Sequence, residues 1–183
     1  LVIGAYLYHA FHARATGSAR ANMQLLVDHY ANDLAAGLDE LSQIAHVAAS
    51  FIELTPDISE RQIFDLLSAE VAANQNVYGA AIAFDHFMYS DDQRLFAPYV
   101  YRDGNQLKRQ EIGADAYDYT NGEWDWWNEP KARGTGLWTD PYFDEGLGNV
   151  LMSTFSVPFS ENAAFRGIAT VDIALTPLRE QVL

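Results

Sequence analysis

"VLMSTFSVPFSENAAFRGIATVDIAL", residues 150–175, carries the clearest strand pattern of the chain. Two apolar runs, Val150 to Phe159 and Phe165 to Leu175, flank the short polar sequence "SENAA". Runs of this length on either side of a turn predict a β-hairpin. Because a hairpin joins antiparallel strands, this stretch predicts an antiparallel sheet as the centre of the fold.

The residues upstream add further strands to this hairpin. Asp103-Gly104 is a typical hairpin turn, and it lies between two short strand patterns. The predicted strands are Val77 to Phe84, Leu95 to Arg102, Lys108 to Ile112 and Leu137 to Tyr142. Residues 113–136, which contain several glycines, are predicted to be loop with a short helix.

Helical patterns occupy the start of the chain. Apolar residues recur at steps of three and four from Leu25 to Ile52, which predicts one long helix that ends at Leu54 before Thr55-Pro56. Ser59 and Gln62 are spaced as a capping box that opens a second helix. The sequence therefore predicts an α+β fold, in which the long N-terminal helix packs along an antiparallel sheet.

These patterns also divide the chain into segments. Residues 1–56 are predicted to be an N-terminal stalk helix, 57–176 a compact lobe, and 177–183 the start of a connecting helix after Thr176-Pro177. Leu1 to Tyr8 is apolar but too short to span a membrane. It is either the outer end of a transmembrane helix or the start of an amphipathic helix that packs on its own domain.

Composition excludes several classes of function. The chain has 183 residues, a formal net charge of −14, only 11 Lys and Arg, and no Cys. Such a charge repels nucleic acid, and the missing thiols exclude disulfides and thiolate metal sites. The 49% of hydrophobic residues suffice for a folded core.

Enzyme signatures are missing from the sequence. It contains no Gly-x-Ser-x-Gly, His-Glu-x-x-His or P-loop pattern, and "DEGLGN" lacks the spacing of a calcium loop. The dipeptide Asp144-Glu145, with Glu123 or Asp125 as the other half, is a formal candidate for an acid/base pair, but acidic residues are common throughout this chain. We therefore expect no catalysis, no metal and no cofactor.

All four tryptophans lie within residues 123–149, "EWDWWNEPKARGTGLWTDPYFDEGLGN", among several carboxylates. The phrase "WTDPYFDEGLGNVLMSTFSVPF", followed by "FRGIATVDIAL", resembles the ligand-binding segment of Cache domains. These are PAS-like extracytoplasmic sensor domains of bacterial transmembrane receptors. The chain is most similar to the dCache-type versions in membrane-bound serine phosphatases and histidine kinases, and the likeness is specific from about residue 117 onward.

The resemblance implies a set of ligand-binding residues. The positions of this sequence that match the motif of amino-acid-sensing Cache domains are Tyr119, Trp126, Tyr142, Asp144 and Asp172. Two further positions depart from that motif.

Trp124 replaces the arginine that holds the ligand's carboxylate in such domains, and Trp127 replaces a tyrosine. An indole cannot pair with a carboxylate as a guanidinium does, whereas the two aspartates that receive an ammonium remain. The resemblance therefore predicts a pocket for a cationic amine, with cation–π contacts to the rings. An amino acid, another small metabolite or an uncharged ligand is the alternative, and so is a purely structural role for these residues.

The resemblance also implies a setting for this domain. It predicts a non-catalytic sensor lobe that faces the periplasm or exterior, tethered to the cell inner membrane, with small-molecule ligands and a possible homodimer through the N-terminal helix. The output module, whether phosphatase, kinase, cyclase or chemotaxis segment, lies outside this chain, and so does any second Cache lobe. The alternative from another class is a secreted carbohydrate-binding module or glycosidase fragment, which predicts an exposed aromatic platform.

Overall fold

A computed structural model describes the backbone of residues 2–113, 117–144 and 149–175, and their side chains from residue 20 onward. The chain forms two compact units, residues 1–40 and residues 41–183. The helices among the described residues are α1 (Val2–Leu54), α2 (Glu60–Ala73) and α3 (Asp125–Arg133). The strands are β1 (Gly79–Phe84), β2 (Pro98–Asp103), β3 (Gln106–Glu111), β4 (Leu137–Trp138), β5 (Tyr142–Asp144), β6 (Val150–Glu161) and β7 (Ala164–Ala174).

The seven described strands form one sheet in the order β3-β2-β1-β7-β6-β4, and β5 also pairs with β6. Every pairing in this sheet is antiparallel. The predicted α+β fold with an antiparallel sheet is therefore confirmed. Hairpins account for the β2–β3 and β6–β7 pairs, whereas β1 pairs with β7 across about half of the length of the chain.

The β6–β7 hairpin lies at the centre of the sheet, and its turn is tighter than the predicted "SENAA". Strand β6 extends to Glu161, and Asn162 and Ala163 both adopt positive φ angles, of 51° and 66°. Two such residues in succession match the right-handed twist of the strands that they connect.

The end of α1 and the start of α2 are as the sequence predicts. The α1 helix ends at Leu54, and α2 begins after the capping box of Ser59 and Gln62, in which both reciprocal hydrogen bonds are present. From residue 41 onward α1 belongs to the compact unit that contains the sheet. Its buried residues in this part, among them Ala45, Ala48 and Ile52, join the core on one face of the sheet.

The predicted strand from Leu137 to Tyr142 is in fact two short strands, β4 and β5. Asp140-Pro141 lies between them, and a proline has no N–H group to donate to a sheet. The predicted helix that starts at Thr176-Pro177 lies outside the described residues.

The two faces of the sheet pack against different clusters of residues, because successive side chains of a strand point to opposite faces. Ala80, Ile82 and Phe84 of β1 face a core that includes residues of α1 and α2. Ala81 and Ala83 face a second cluster, which contains Trp126 and Trp127 of α3 and residues of the segment before it. The candidate site lies on this second face.

Candidate functional site

A small pocket, with a cavity volume of about 30 Å³ and partly open to solvent, lies on the face of the sheet that carries α3. Strands β1, β2, β5, β6 and β7 contribute to it, together with α3 and the segments around β3. The residues that line it are Ala81, Tyr99, Ile112, Tyr117, Trp126, Tyr142, Asp144, Met152, Thr154, Thr170 and Asp172.

Asp172 lies in the floor of this pocket and is only 5% exposed. The Thr154 hydroxyl on the neighbouring strand β6 donates to Asp172 Oδ1 at 2.7 Å, because the β6–β7 register places these two residues opposite each other. The Tyr99 hydroxyl, from β2, also hydrogen-bonds to the Asp172 carboxylate. Two strands besides its own therefore hold this carboxylate in place.

Gly79 allows Tyr99 to reach Asp172. Gly79 lies on β1, opposite Asp172 of β7, while Tyr99 lies on the strand beyond. A Cβ atom at position 79 would lie 2.5 Å from the Tyr99 hydroxyl oxygen and 2.7–2.8 Å from two of its ring carbons. Such distances are well inside van der Waals contact, so the phenol ring crosses β1 only because residue 79 has no side chain.

Asp144 supplies the second carboxylate of the pocket. It ends strand β5, is 8% exposed, and its Oδ2 is buried without a hydrogen-bond partner among the described residues. A buried polar atom without a partner is destabilising, because it has lost its water and gained nothing in return.

Burial raises the pKa of both carboxyl groups. The pKa of Asp172 is raised to about 7 by burial, although the hydrogen bonds from Thr154 and Tyr99 act in the opposite direction. Burial likewise raises the pKa of Asp144. Both shifts mean that the empty pocket resists negative charge.

No lysine, arginine or histidine is among the residues that line the pocket in the described part of the chain. Nearby arginines pair elsewhere: Arg102 binds the carbonyl oxygens of Val77 and Asn74, and Arg94 pairs with Asp118. The two carboxylates therefore lack a neutralising side chain in this lining.

Aromatic rings form much of the wall above the carboxylates. The Trp126 indole Nε1 donates to the Tyr117 hydroxyl at 3.3 Å, which fixes two rings of the wall relative to each other. The Tyr142 hydroxyl lies 2.8 Å from Thr154 Oγ1, so that this ring is connected to the floor. The pocket thus combines ring faces with buried carboxylates.

The structure brings four of the seven sequence-predicted site residues to the pocket lining, namely Trp126, Tyr142, Asp144 and Asp172. The other three lie outside that lining.

Tyr119 is fully buried, and its hydroxyl donates to the Phe84 carbonyl oxygen at 2.6 Å. Trp127 packs on Tyr119 and Phe165, with ring centroids 4.8 and 5.6 Å away. Trp124 packs on Tyr117 at 4.8 Å, one ring away from the pocket. These three residues support the wall from behind.

The fourth tryptophan lies on the opposite face of the sheet, where Trp138 packs against Phe155 at 5.2 Å. Trp126 and Trp127 are 6% and 1% exposed. The tryptophans therefore do not form the exposed platform that the carbohydrate-binding alternative predicts.

Sequence reasoning missed Tyr99, Thr154, Tyr117 and Gly79. Thr154 left a weak signal, because it follows Met152 by two positions and faces away from Phe155, although Ser153 and Ser156 interrupt the same apolar run. Tyr99 and Gly79 left none, since their importance depends on the pairing of β1 with β7. Among the described residues, no group of three or more His, Cys, Asp or Glu is arranged to hold a metal ion.

The family model of methyl-accepting chemotaxis protein-like, first PDC sensor domains matches residues 63–180. The chain belongs to this family of sensor domains, which agrees with its PAS-like fold and with the resemblance to Cache domains. It is therefore a sensor domain of the kind found in chemoreceptors and histidine kinases. The curated proteins gave no match.

Solved structures agree with this assignment. The extracellular domain of a candidate histidine kinase, soHK1S-Z6, is 40% identical, with a TM-score of 0.72 over 79% of this chain and 56% of that one. The ligand-binding domain of the Campylobacter jejuni chemoreceptor Tlp3, solved with L-valine, is 14% identical, with a TM-score of 0.59 over 81% of this chain and 57% of that one. The ligand-binding domain of the Pseudomonas aeruginosa PAO1 amino acid chemoreceptor PctC, solved with GABA, is 16% identical, with a TM-score of 0.54 and coverages of 81% and 57%.

The last two likenesses are of fold alone. The chain spans somewhat more than half of the length of each of these solved domains. Among its described residues, no helix has an apolar stretch long enough to cross a membrane.

Proposed function

We propose that this domain binds a small cationic amine and serves as the ligand-sensing lobe of a membrane receptor. The observation that carries the proposal is a pocket with two buried carboxylates, Asp144 and Asp172, whose described lining holds no basic side chain. A ligand that enters this pocket with a positive charge supplies what the protein lacks.

The free energy of burying the carboxylates gives the physical reason. An ionised carboxylate in a poorly solvated site is destabilised unless a partner of opposite charge is close. An ammonium group at Asp144 Oδ2 and Asp172 would satisfy both groups at once. The same ligand would gain cation–π attraction from the rings of Trp126 and Tyr142, worth about 0.5–2 kcal/mol for a good contact.

Ligands of the structural neighbours agree with an ammonium as the common feature. L-valine and GABA, found with the Tlp3 and PctC domains, both carry an ammonium group and a carboxylate. In this chain Trp124 occupies the position at which the resemblance expects a carboxylate-binding arginine. The described lining contains no basic residue that could take the place of that arginine. This favours an amine without a carboxylate over the corresponding α-amino acid.

The family of sensor domains supports a cellular setting, which is part of this proposal. We place the domain outside the inner membrane, on the periplasmic or exterior side of a receptor whose output module lies beyond this chain. A signalling homodimer through α1 is part of this proposal, because Val47, Phe51 and Leu54 of that helix are exposed.

Calorimetry with isobutylamine and valine tests the ligand class, since the two compounds differ only by a carboxylate. We expect the amine to bind at least about tenfold more tightly, and Asp172→Asn to weaken amine binding by about 2–5 kcal/mol, the usual effect of removing one partner of a buried ion pair. The substitution Trp124→Arg should move the preference toward valine.

Tighter binding of valine than of isobutylamine to the wild-type domain would refute the amine proposal. Unchanged amine binding in Asp172→Asn would refute the role of that carboxylate. Asp140→Asn is the matched control, because Asp140 is exposed and lies close in sequence to Asp144 but outside the pocket lining.

A further inference from the structure

The hydroxyl groups at the floor of the pocket all donate toward Asp172, either directly or through Thr154. When Asp172 is ionised it only accepts hydrogen bonds, so Thr154 uses its single proton on Asp172 Oδ1. The 2.8 Å contact between Thr154 and Tyr142 then requires Tyr142 to donate to Thr154. Tyr99 likewise donates to Asp172. Three hydroxyl groups therefore have no proton left for a ligand.

The rest of the polar lining adds few donors. The Trp126 indole N–H is used on the Tyr117 hydroxyl, and the Thr170 hydroxyl oxygen accepts from the Ala81 N–H at 3.2 Å. Among the described lining side chains, only the Tyr117 and Thr170 hydroxyls retain protons without an assigned acceptor. The charged part of the pocket, by contrast, consists of acceptors, and Asp144 Oδ2 has no donor among the residues that the structure describes.

We infer that the pocket selects its cation by the number of N–H donors, so that it accepts primary ammonium groups and rejects quaternary ones. This inference rests on the proposed function and makes it more specific. A primary ammonium offers three N–H groups to Asp144 Oδ2, Asp172 and the hydroxyl oxygens. A trimethylammonium group has the same charge but no donor, and would leave these buried acceptors unpaired.

The two ways of recognising a cation predict opposite orders of affinity. An aromatic cage without buried acceptors suits quaternary ammonium ions, whose recognition depends on ring faces. Here Asp144 lines the same pocket as the rings and is 8% exposed, and its Oδ2 is buried without a hydrogen-bond partner among the described residues. The unpaired acceptor therefore decides that the primary ammonium binds more tightly than the quaternary one, whereas the rings attract both ions.

A methylation series measures this selectivity on the wild-type domain without any substitution. The ligands are isobutylamine and its N-methyl, N,N-dimethyl and N,N,N-trimethyl derivatives, titrated by calorimetry at about pH 8, where aliphatic amines are protonated. We expect affinity to fall with each N–H that is lost, and to be at least about tenfold lower for the trimethyl compound than for the primary amine.

Asp144→Asn shows whether the unpaired acceptor is the cause. The amide keeps the shape of the side chain but removes its charge and one acceptor oxygen, so the ratio of the two affinities should fall toward one. A general loss of structure would weaken both ligands without changing their ratio. The exposed Asp140→Asn should leave the ratio unchanged.

The outcomes separate the two proposals. If the trimethyl compound binds as tightly as the primary amine, or more tightly, the pocket does not select cations by their N–H donors, but the proposal that it binds amines is unaffected. If no member of the series binds, the proposed function itself is wrong. An unchanged ratio in Asp144→Asn would overturn the assignment to Asp144.

Discussion

Asp172 links the stability of the domain to protonation, because burial raises its pKa to about 7. In an unfolded chain the same carboxyl group titrates near 3.9, so the folded state binds more protons between about pH 4 and pH 7. Stability that this group contributes is therefore fully present below the unfolded pKa and is lost as the pH rises through about 7.

Asp172→Asn should remove this pH dependence. Between about pH 5 and pH 8, we expect the free energy of unfolding to fall by roughly 2 kcal/mol less in the variant than in the ligand-free wild type. Urea denaturation at the two pH values measures the difference. Glu70, whose pKa burial also raises to about 7, contributes equally to both proteins and cancels in the comparison. Identical pH profiles would show that Asp172 is ionised over the whole range.

Gly79 has a role that its neighbours in sequence do not reveal. Gly79→Ala places a Cβ atom against the Tyr99 phenol, so that the ring must move away from Asp172. We expect amine affinity to fall about tenfold, the effect of losing one hydrogen bond to a charged group, and stability to fall by about 1–3 kcal/mol from overpacking. Calorimetry and urea denaturation give the two values.

Tyr99→Phe is the matched variant for this prediction. It removes the hydroxyl but keeps the ring, so it should reproduce the loss of affinity without the steric destabilisation. If Gly79→Ala binds the amine as the wild type does, the path of Tyr99 across β1 has no part in binding.

Whether a residue of the candidate site could be predicted from the sequence depends on how far along the chain its partners lie. Asp144, Asp172, Tyr142 and Trp126 could be proposed from a motif, because the motif keeps their spacing in one continuous segment. Tyr99 could not, since it meets Asp172 only after β1, β2 and β7 have paired in one register. A single sequence contains no record of such long-range pairing.

Among the elements, helices were more predictable than short strands. The capping box of Ser59 and Gln62 fixes the start of α2 through local hydrogen bonds, which the sequence displays directly. The bounds of β1, β2 and β3 differ from the predicted ones by one to three residues, because pairing with neighbouring strands decides where a strand ends. The order of the strands in the sheet was not predictable for the same reason.

Exposed apolar residues on one side of α1 form a surface that suits self-association. Val47, Phe51 and Leu54 are 61%, 42% and 84% exposed, and they line a shallow groove with Gln43, His46 and Ser50. Residues three and four apart share one side of a helix, so this side offers a continuous apolar seam to a second copy.

We expect weak dimerisation of the wild-type domain at high micromolar concentration, and a monomer for Phe51→Glu, because a buried charge disrupts an apolar seam. Sedimentation velocity measures both. Phe87→Glu is the control, since Phe87 is 53% exposed but belongs to the loop between β1 and β2. Equal sedimentation of the wild type and Phe51→Glu at all concentrations would contradict a dimer through this seam.

At the scale of the whole molecule, the net charge of −14 acts on any charged ligand before contact. Surface potentials of this kind speed the association of oppositely charged partners, and salt screens them. Such an effect belongs to the sum of the charges and not to the pocket alone.

Association of isobutylamine should therefore slow by about threefold or more when ionic strength rises from about 0.01 M to 0.15 M, over which the Debye length shortens from about 30 Å to 8 Å. The dissociation rate should change little, because it depends on the buried contacts. Stopped-flow measurement of tryptophan fluorescence gives both rates. An association rate independent of salt would show that the overall charge does not guide the ligand.

The candidate site is built partly on central strands and partly on the short helix α3, and this matters for how ligand specificity can evolve in such domains. Asp172 and Thr154 lie on the paired central strands β6 and β7, where a substitution disturbs the ladder and the core together. Trp124 and Trp126 lie at the edge of a short helix, where a replacement changes the wall and leaves the ladder intact. Lineages that inherit this scaffold can thus acquire new ligands through changes in the wall, while the strand pairing that carries the acidic floor stays intact.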